Sequence, residues 1–363
     1  MHPTRSFLAA LVLAPSFALA QAPIDVEWIA LRPFGSGAAR IAHDAASDSY
    51  IWAVNDDSTP PNDEFILPIA ADGTDLGPAY PSAFSVGSLD ALTDLEMLDS
   101  VAYALMYHQN ISGNPQLVNW TVLGADNDIV QEDPLLDEIA NDMYVDATGI
   151  YVCGIRQLAD LTSEYTGRVM RTDLQGNMLW NVLWNDDTTP TEATFSSVTV
   201  MGDSVIVADF PDLVIFNKND GTFIGTYGPV IGNASITGPA RISALGHRLY
   251  YAMGVADTLY YGNWDFYSLG GSVQGTLATE GFPTDVTGVD LEVTELGEVW
   301  ISCNALDHGR LLRTDFESNP IGSIAEVYNG ITDIDWANGS LSITGWLDFA
   351  TSTTYVVTGT PQP

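Results

Sequence analysis

Asn141-Asp142-Met143-Tyr144, followed after a short turn by Ile150-Tyr151-Val152-Cys153, is one copy of a pattern that the chain repeats. The same opening stands upstream as Ala39-Arg40-Ile41-Ala42 and Thr93-Asp94-Leu95-Glu96. Downstream it returns as Ser196-Ser197-Val198-Thr199, Ala240-Arg241-Ile242-Ser243, Val289-Asp290-Leu291-Glu292 and Thr332-Asp333-Ile334-Asp335. Each opening leads into a β-rich run, from Tyr50-Ile51-Trp52-Ala53 in the first copy to Leu341-Ser342-Ile343-Thr344 in the last. The second motif residue falls at 40, 94, 142, 197, 241, 290 and 333, which gives separations of 54, 48, 55, 44, 49 and 43 residues. A period of about 40–50 residues with several strands per unit is that of a β-propeller blade. The predicted fold is therefore all-β, a seven-bladed β-propeller with four-stranded antiparallel blades.

Within a copy, later strands are marked by turn residues. Gly167-Arg168-Val169-Met170-Arg171-Thr172-Asp173 in the third copy matches Gly309-Arg310-Leu311-Leu312-Arg313-Thr314-Asp315 in the sixth, in register. Asp72-Gly73 and Asp220-Gly221 are further hairpin signals. The segment Asp25-Val26-Glu27-Trp28-Ile29-Ala30-Leu31 alternates like a strand and precedes the first motif. It is expected to complete the last blade beside Leu341–Gly345 and Thr354–Val357, closing the ring and removing exposed sheet edges. No linker-like segment interrupts the copies, so residues 21–363 are expected to form a single domain. Cys153 and Cys303 fall on the second strands of the third and sixth blades, on opposite sides of such a ring. A disulfide needs Cα atoms within about 7 Å, so two separate buried thiols are expected.

The start of the chain reads as a secretory leader, residues 1–20. Arg5 is followed by the apolar stretch Phe7 to Leu13 and the small-x-small site Ala18-Leu19-Ala20 before Gln21. That stretch is too short to span a bilayer, and membrane insertion is not expected. The predicted location is secreted or periplasmic, and a monomer is expected. Asp and Glu number 47 against 11 Lys and Arg, a net charge of -36, and Lys218 is the one lysine in the chain. Without a basic patch to displace counterions, nucleic acid is not an expected partner.

On this spacing, the order hydrophobic-Asp-x-x-Gly-Asn in Asp173-Leu174-Gln175-Gly176-Asn177-Met178-Leu179-Trp180 resembles the secreted seven-bladed β-propeller repeat proteins of bacteria. A second likeness covers the first two copies. Ile51-Trp52-Ala53-Val54-Asn55-Asp56-Asp57, Ala71-Asp72-Gly73-Thr74 and Asp94-Leu95-Glu96 are similar to exported propellers, some grouped with phytase-like esterases. Asp57 stands where that order has Ser, and the likeness ends near residue 110. Both resemblances imply the fold and export. Neither implies an activity, because propellers host enzymes, binders and scaffolds alike.

In a propeller, the loops entering the inner strands and those joining second to third strands share one face. The motif positions Arg40, Asp94, Asp142, Ser197, Arg241, Asp290 and Asp333 are therefore expected around the channel mouth. Glu96, Glu292 and Asp335 lie two residues further along, on the same face of their strands. Asp94, Glu96, Asp290, Glu292, Asp333 and Asp335 are the candidate metal ligands, and Ca²⁺ is the ion they suggest. Hard divalent cations take about 6–8 oxygen ligands, and carboxylates on neighbouring strands supply several. Arg40, Asp142, Ser197, Arg241, His108 and His308 make up the candidate ligand face. The same acids have a purely structural reading, in which they pair with Arg40 and Arg241 or bond the backbone of the next blade. The Asp56, Asp57 and Asp63 loop is expected on that face as a solvated loop, and His43 and His247 read as strand and turn residues. The aromatic run from Tyr260 to Tyr267 is either a sugar-stacking platform or a strand packed between blades.

No Gly-x-Ser-x-Gly elbow, His-Glu-x-x-His or phosphate-binding loop occurs, so nucleophilic catalysis has no support. The leading expectation is a binding or scaffold protein acting through the channel-mouth face. Its ligand class stays open between protein, glycan and small molecule, and Ca²⁺ is the one cofactor suggested. The alternative is a metal-dependent hydrolase of phosphoesters or lactones. In that reading Asp94, Glu96, Asp290 and Asp333 hold the metal, while Arg40 and Arg241 take an anionic substrate.

Overall fold

The computed structural model describes residues 24–32, 39–56, 63–77, 80–81, 89–109, 115–121, 128–132, 138–157, 165–184, 195–209, 212–228, 240–266, 273–278, 286–305, 308–321, 325–327, 330–348 and 353–362. The expected leader, Asp57 and Tyr267 lie outside the described residues, as do the side chains of Asp56, Asp63 and His108.

The chain enters through β1 (Ile24–Arg32). Sheet 1 is β2 (Ala39–Asp44), β3 (Ser49–Asp56), β4 (Asp63–Ala70) and β5 (Tyr80–Pro81). Sheet 2 is β6 (Leu89–Leu98), β7 (Val101–Gln109), β8 (Pro115–Thr121) and β9 (Asp128–Glu132). Sheet 3 is β10 (Glu138–Asp146), β11 (Gly149–Gln157), β12 (Tyr165–Thr172) and β13 (Met178–Trp184). Sheet 4 is β14 (Ser197–Met201), β15 (Ser204–Asp209), β16 (Asp212–Asn217) and β17 (Phe223–Tyr227). Sheet 5 is β18 (Ala240–Leu245), β19 (Arg248–Val255), β20 (Thr258–Asp265) and β21 (Val273–Ala278). Sheet 6 is β22 (Val286–Val293), β23 (Val299–Ala305), β24 (His308–Thr314) and β25 (Ala325–Val327). Sheet 7 joins β26 (Gly330–Ala337), β27 (Ser340–Asp348) and β28 (Thr353–Pro361) to β1 as its outer strand. Every pairing is antiparallel, and the last sets Ile24 opposite Pro361 and Leu31 opposite Tyr355. The N-terminal strand thus closes the last sheet, as its alternation suggested.

Each motif falls on the first strand of a sheet. These first strands, β2, β6, β10, β14, β18, β22 and β26, pack each against the next, and β26 packs back against β2. Among the described residues the apolar core is divided among seven clusters, one at each seam between neighbouring sheets. The seam between sheets 3 and 4 joins Tyr151, Cys153, Val169 and Trp180 to Phe195, Val198, Val207 and Phe216. The third motif residue feeds these seams, and Ile41, Leu95, Met143, Val198, Ile242, Leu291 and Ile334 are all buried. Burying one such side chain is worth about 1.5–3 kcal/mol. Cys153 and Cys303 are separate buried thiols.

Turn chemistry accounts for the matched hairpins. Asp173 Oδ1 accepts the Gln175 and Asn177 amides at 3.0 and 2.8 Å, and Oδ2 accepts Asn177 Nδ2 at 2.8 Å. Asp315 repeats this with the Glu317 and Asn319 amides at 2.9 and 2.8 Å. An aspartate that bonds its own backbone two and four residues on replaces the ladder that the turn interrupts. In the hairpin of sheet 4, Gly221 has φ 71°, and a Cβ there would meet the Trp180 ring of sheet 3 at 2.9 Å. The aromatic run in β20 packs between sheets, with Trp264 stacked on Phe266 at 5.3 Å and Tyr227 of sheet 4 at 5.5 Å from Trp264.

Candidate functional site

Alternation along the first strands sends the second and fourth motif residues toward the axis and the third into a seam. At the second position the side chain reaches the next sheet. Asp333 Oδ2 accepts the Ile41 amide at 2.7 Å, Asp94 Oδ2 the Met143 amide at 2.7 Å, and Asp290 Oδ2 the Ile334 amide at 2.9 Å. Asp142 Oδ2 accepts both the Val198 amide and the Ser197 hydroxyl at 2.7 Å. Ser197 Oγ in turn accepts the Ile242 amide at 3.1 Å. The two arginines bridge the remaining seams, Arg40 as a hydrogen-bond donor and Arg241 by its charge. Arg40 Nε donates to Thr93 O at 2.9 Å, and its Nη1 donates back to Thr332 O at 2.8 Å. Arg241 pairs with Asp142 and lies 4.0 Å from Asp290. Every seam is thereby bridged by a motif side chain, which is the structural role foreseen for these acids.

The same strands enclose a cavity of about 300 Å³ along the axis. Asp94, Asp142, Ser197, Arg241, Asp290 and Asp333 line one end, and Glu96, Glu292 and Asp335 line it further along. Seven carboxylates thus share the cavity with Arg241, while Arg40 stands 3.7 Å from Asp333. Among the described residues no group of three or more His, Cys, Asp or Glu side chains is placed to hold a metal ion. The six candidate ligands share a cavity without forming a coordination shell.

Crowding of buried carboxylates dominates the electrostatics. Burial, then the charges of Asp94 and Asp142, hold Glu96 well above the ordinary carboxyl range. Burial, then Asp335 and Asp290, do the same to Glu292. Asp335 is pushed up to about 7 by burial and Asp290, against the pull of the His43 and Trp336 amides. Burial also raises Asp94 and Asp333, with Arg241 and Arg40 opposing. At Asp142 burial pushes upward while Arg241 pulls down, and the carboxylates around Arg241 hold its guanidinium protonated. Burial outweighs Arg241 and the two donors on Oδ2, and the Asp142 carboxyl is pushed up to about 7. So many carboxylates in one buried site do not all ionise near neutral pH, and the protons they hold are shared among Glu96, Asp142, Glu292, Asp333 and Asp335.

Arg40 and His308 are not among the residues that line this cavity. His308 opens β24 and is exposed, and His108 lies within β7 opposite Asp90 rather than beyond the strand end. Tyr144, His43 and Trp336 are among the cavity residues to which the sequence assigned no site role. Tyr144 follows Asp142 by two positions, so the rule that found Glu96 would have found it. His43 and Trp336 sit at the fifth position, where alternation predicts a seam, and their place beside the cavity had no sequence signal. The chain matches no protein-family model and no curated protein. Among the described residues no helix is long and apolar enough to cross a membrane.

Proposed function

We propose that the chain is a seven-bladed β-propeller, exported by its leader, that acts as a binding protein for a positively charged ligand received at the channel mouth. One observation carries the reading: a single axial cavity is lined by seven carboxylates with Arg241 as the lining guanidinium. Such a cleft of one sign, walled by low-dielectric sheet seams, concentrates cations and repels anions. The seven sheets, the closed series of first strands and the β1–β28 pairing support the propeller reading. The sequence features of residues 1–20 support export.

A metal-dependent hydrolase has less support. Its metal would draw on Asp94, Asp290 and Asp333, whose Oδ2 atoms already accept amides of neighbouring sheets. The test is a thermal melt of chelator-treated protein at constant ionic strength, with and without cations, Ca²⁺ first. A ligand at 100 times its Kd stabilises by about 2.7 kcal/mol, so the midpoint should rise by a few degrees with a bound cation and stay put with an anion. A midpoint indifferent to every cation would sink the reading. Turnover on ester, lactone or phosphate substrates would replace it with the hydrolase.

A further inference from the structure

Among the described residues each sheet leaves the outer edge of its last strand unpaired, and most of these strands are short. β5 has two residues and ends in Pro81, β25 has three, and β9, β17 and β21 have five or six. Short strands and proline are common means of keeping an edge from pairing with another chain. β1 is built differently. It runs nine residues, Ile24–Arg32, holds no proline, glycine or lysine, and has β28 as its one strand neighbour among the described residues. At a rise of about 3.3 Å per residue it presents roughly 30 Å of open ladder.

The two faces of β1 differ. Trp28 and Arg32 turn toward sheet 1, where Trp28 meets Tyr50 at 5.4 Å and Arg32 pairs with Asp75. Asp25, Glu27, Ile29 and Leu31 alternate with them and are exposed, Ile29 by 47% and Leu31 by 50%. The exposed row is thus half acidic and half aliphatic, and the strand's one cation is already paired. The next longest outer strand, β13, exposes Leu179, Asn181 and Leu183, a row without charge by which to choose a partner. We propose that the outer edge of β1 is a docking site for an extended basic segment of another protein, which adds to sheet 7 as a fifth, antiparallel strand. Its backbone continues the ladder, and its alternate side chains lie opposite the exposed row. Apolar residues come first, against Leu31 and Ile29, and Lys or Arg follow, against Glu27 and Asp25. A second copy of the chain does not fit this edge, because β1 offers it no unpaired cation and two chains of net charge -36 repel.

The test is fluorescence anisotropy of a labelled peptide, Val-Thr-Val-Thr-Lys-Thr-Lys, titrated with the whole protein at constant ionic strength. Its alternate residues meet Leu31, Ile29, Glu27 and Asp25 in that order. A second peptide of the same composition, Val-Lys-Val-Lys-Thr-Thr-Thr, puts both lysines on the opposite face and should bind more weakly. Glu27→Lys and, separately, Ile29→Lys should each weaken the first peptide by about three- to fivefold, the range of one cross-strand pair. Both positions are exposed, so neither change disturbs the seam with sheet 1. Equal binding of the two peptides would reduce the effect to bulk charge and overturn the proposal. Binding of the first peptide unchanged in both variants would place it elsewhere, the acidic channel included, and would overturn it too. So would a protein that dimerises without peptide and loses the dimer on Ile29→Lys, which would give the edge to a second copy. Absence of binding by the first peptide at millimolar protein would remove the site.

Discussion

In β6, β10, β22 and β26 the register with the second strand slips just before the motif aspartate, at Leu92/Asp94, Ala140/Asp142, Thr287/Asp290 and Ile331/Asp333. In β2, β14 and β18 the pairing runs without a slip through Arg40, Ser197 and Arg241. Bulge and aspartate occur together in four strands, and neither occurs in the other three. An extra residue bends the strand and re-aims the side chain that follows. In each bulged strand that side chain delivers Oδ2 to an amide of the next sheet. Where the strand is straight, other chemistry spans the seam. Arg40 cannot accept an amide and takes the Thr93 carbonyl instead, while the Leu95 amide opposite turns to Asp94 Oδ1 at 2.9 Å. The acids of the cavity therefore hold the ring together as well as charging its axis.

The sharpest way to break this contrast is Asp142→Ala. It removes the acceptor of the Val198 amide and the Ser197 hydroxyl and takes the ion pair from Arg241. Stranding a buried amide and hydroxyl, and leaving Arg241 with Asp290 at 4.0 Å as its remaining ion pair, costs about 3–5 kcal/mol, read as a lower midpoint in urea unfolding. Asp142→Asn keeps an acceptor for the amide and should recover part of the loss. A cost no greater than that of a straight-strand change would refute the argument.

Next in size is the response to pH. Asp335 is raised to about 7, and Glu96 and Glu292 also lie above the ordinary range. An acid raised on folding contributes stability as its protonated form. That contribution is complete below the unfolded value near 4 and disappears as pH rises through the folded value. The melting midpoint should therefore fall between about pH 5 and about pH 8, and Asp335 alone accounts for at most about 4 kcal/mol of the change. Asp335→Asn should flatten the profile and raise the midpoint on the alkaline side. A midpoint that climbs with pH would show that these carboxylates are not held protonated by the fold.

A smaller loss is expected from Ser197→Ala in a straight strand. The Ile242 amide loses its acceptor at a buried seam, at a cost of about 1–2 kcal/mol, and Arg241–Asp142 survives. A loss equal to that of Asp142→Ala would erase the distinction between the two kinds of strand.

The repeat made the sheets legible because each copy carries its own opening motif and turn residues, and Asp25 to Leu31 announced the closing strand by alternation. The axial acids were legible for the same reason, as Asp94 and Glu96 share one parity on β6. The bulges were not, since a register slip depends on pairing with β7, β11, β23 and β27 and leaves no mark in a single strand. Nor was the destination of each Oδ2. A carboxylate that caps a neighbouring amide and one that awaits a ligand have the same sequence, and only the position of the next sheet separates them.

The smallest effect belongs to aspartates at the other end of the sheets, where the same residue type works under opposite physics. Asp173 and Asp315 bond their own hairpins, and those hydrogen bonds hold both carboxyls below the ordinary range. An acid lowered on folding contributes stability above its unfolded value and loses it as pH falls, the reverse of the channel. Asp173→Ala should cost less than Ser197→Ala, because the freed Gln175 and Asn177 amides turn to water instead of remaining buried. Its deficit should shrink on acidification below about pH 4, where the wild-type carboxylate also loses its charge. A deficit that grew toward alkaline pH would place Asp173 in the electrostatics of the channel and undo the separation between the two ends of the ring.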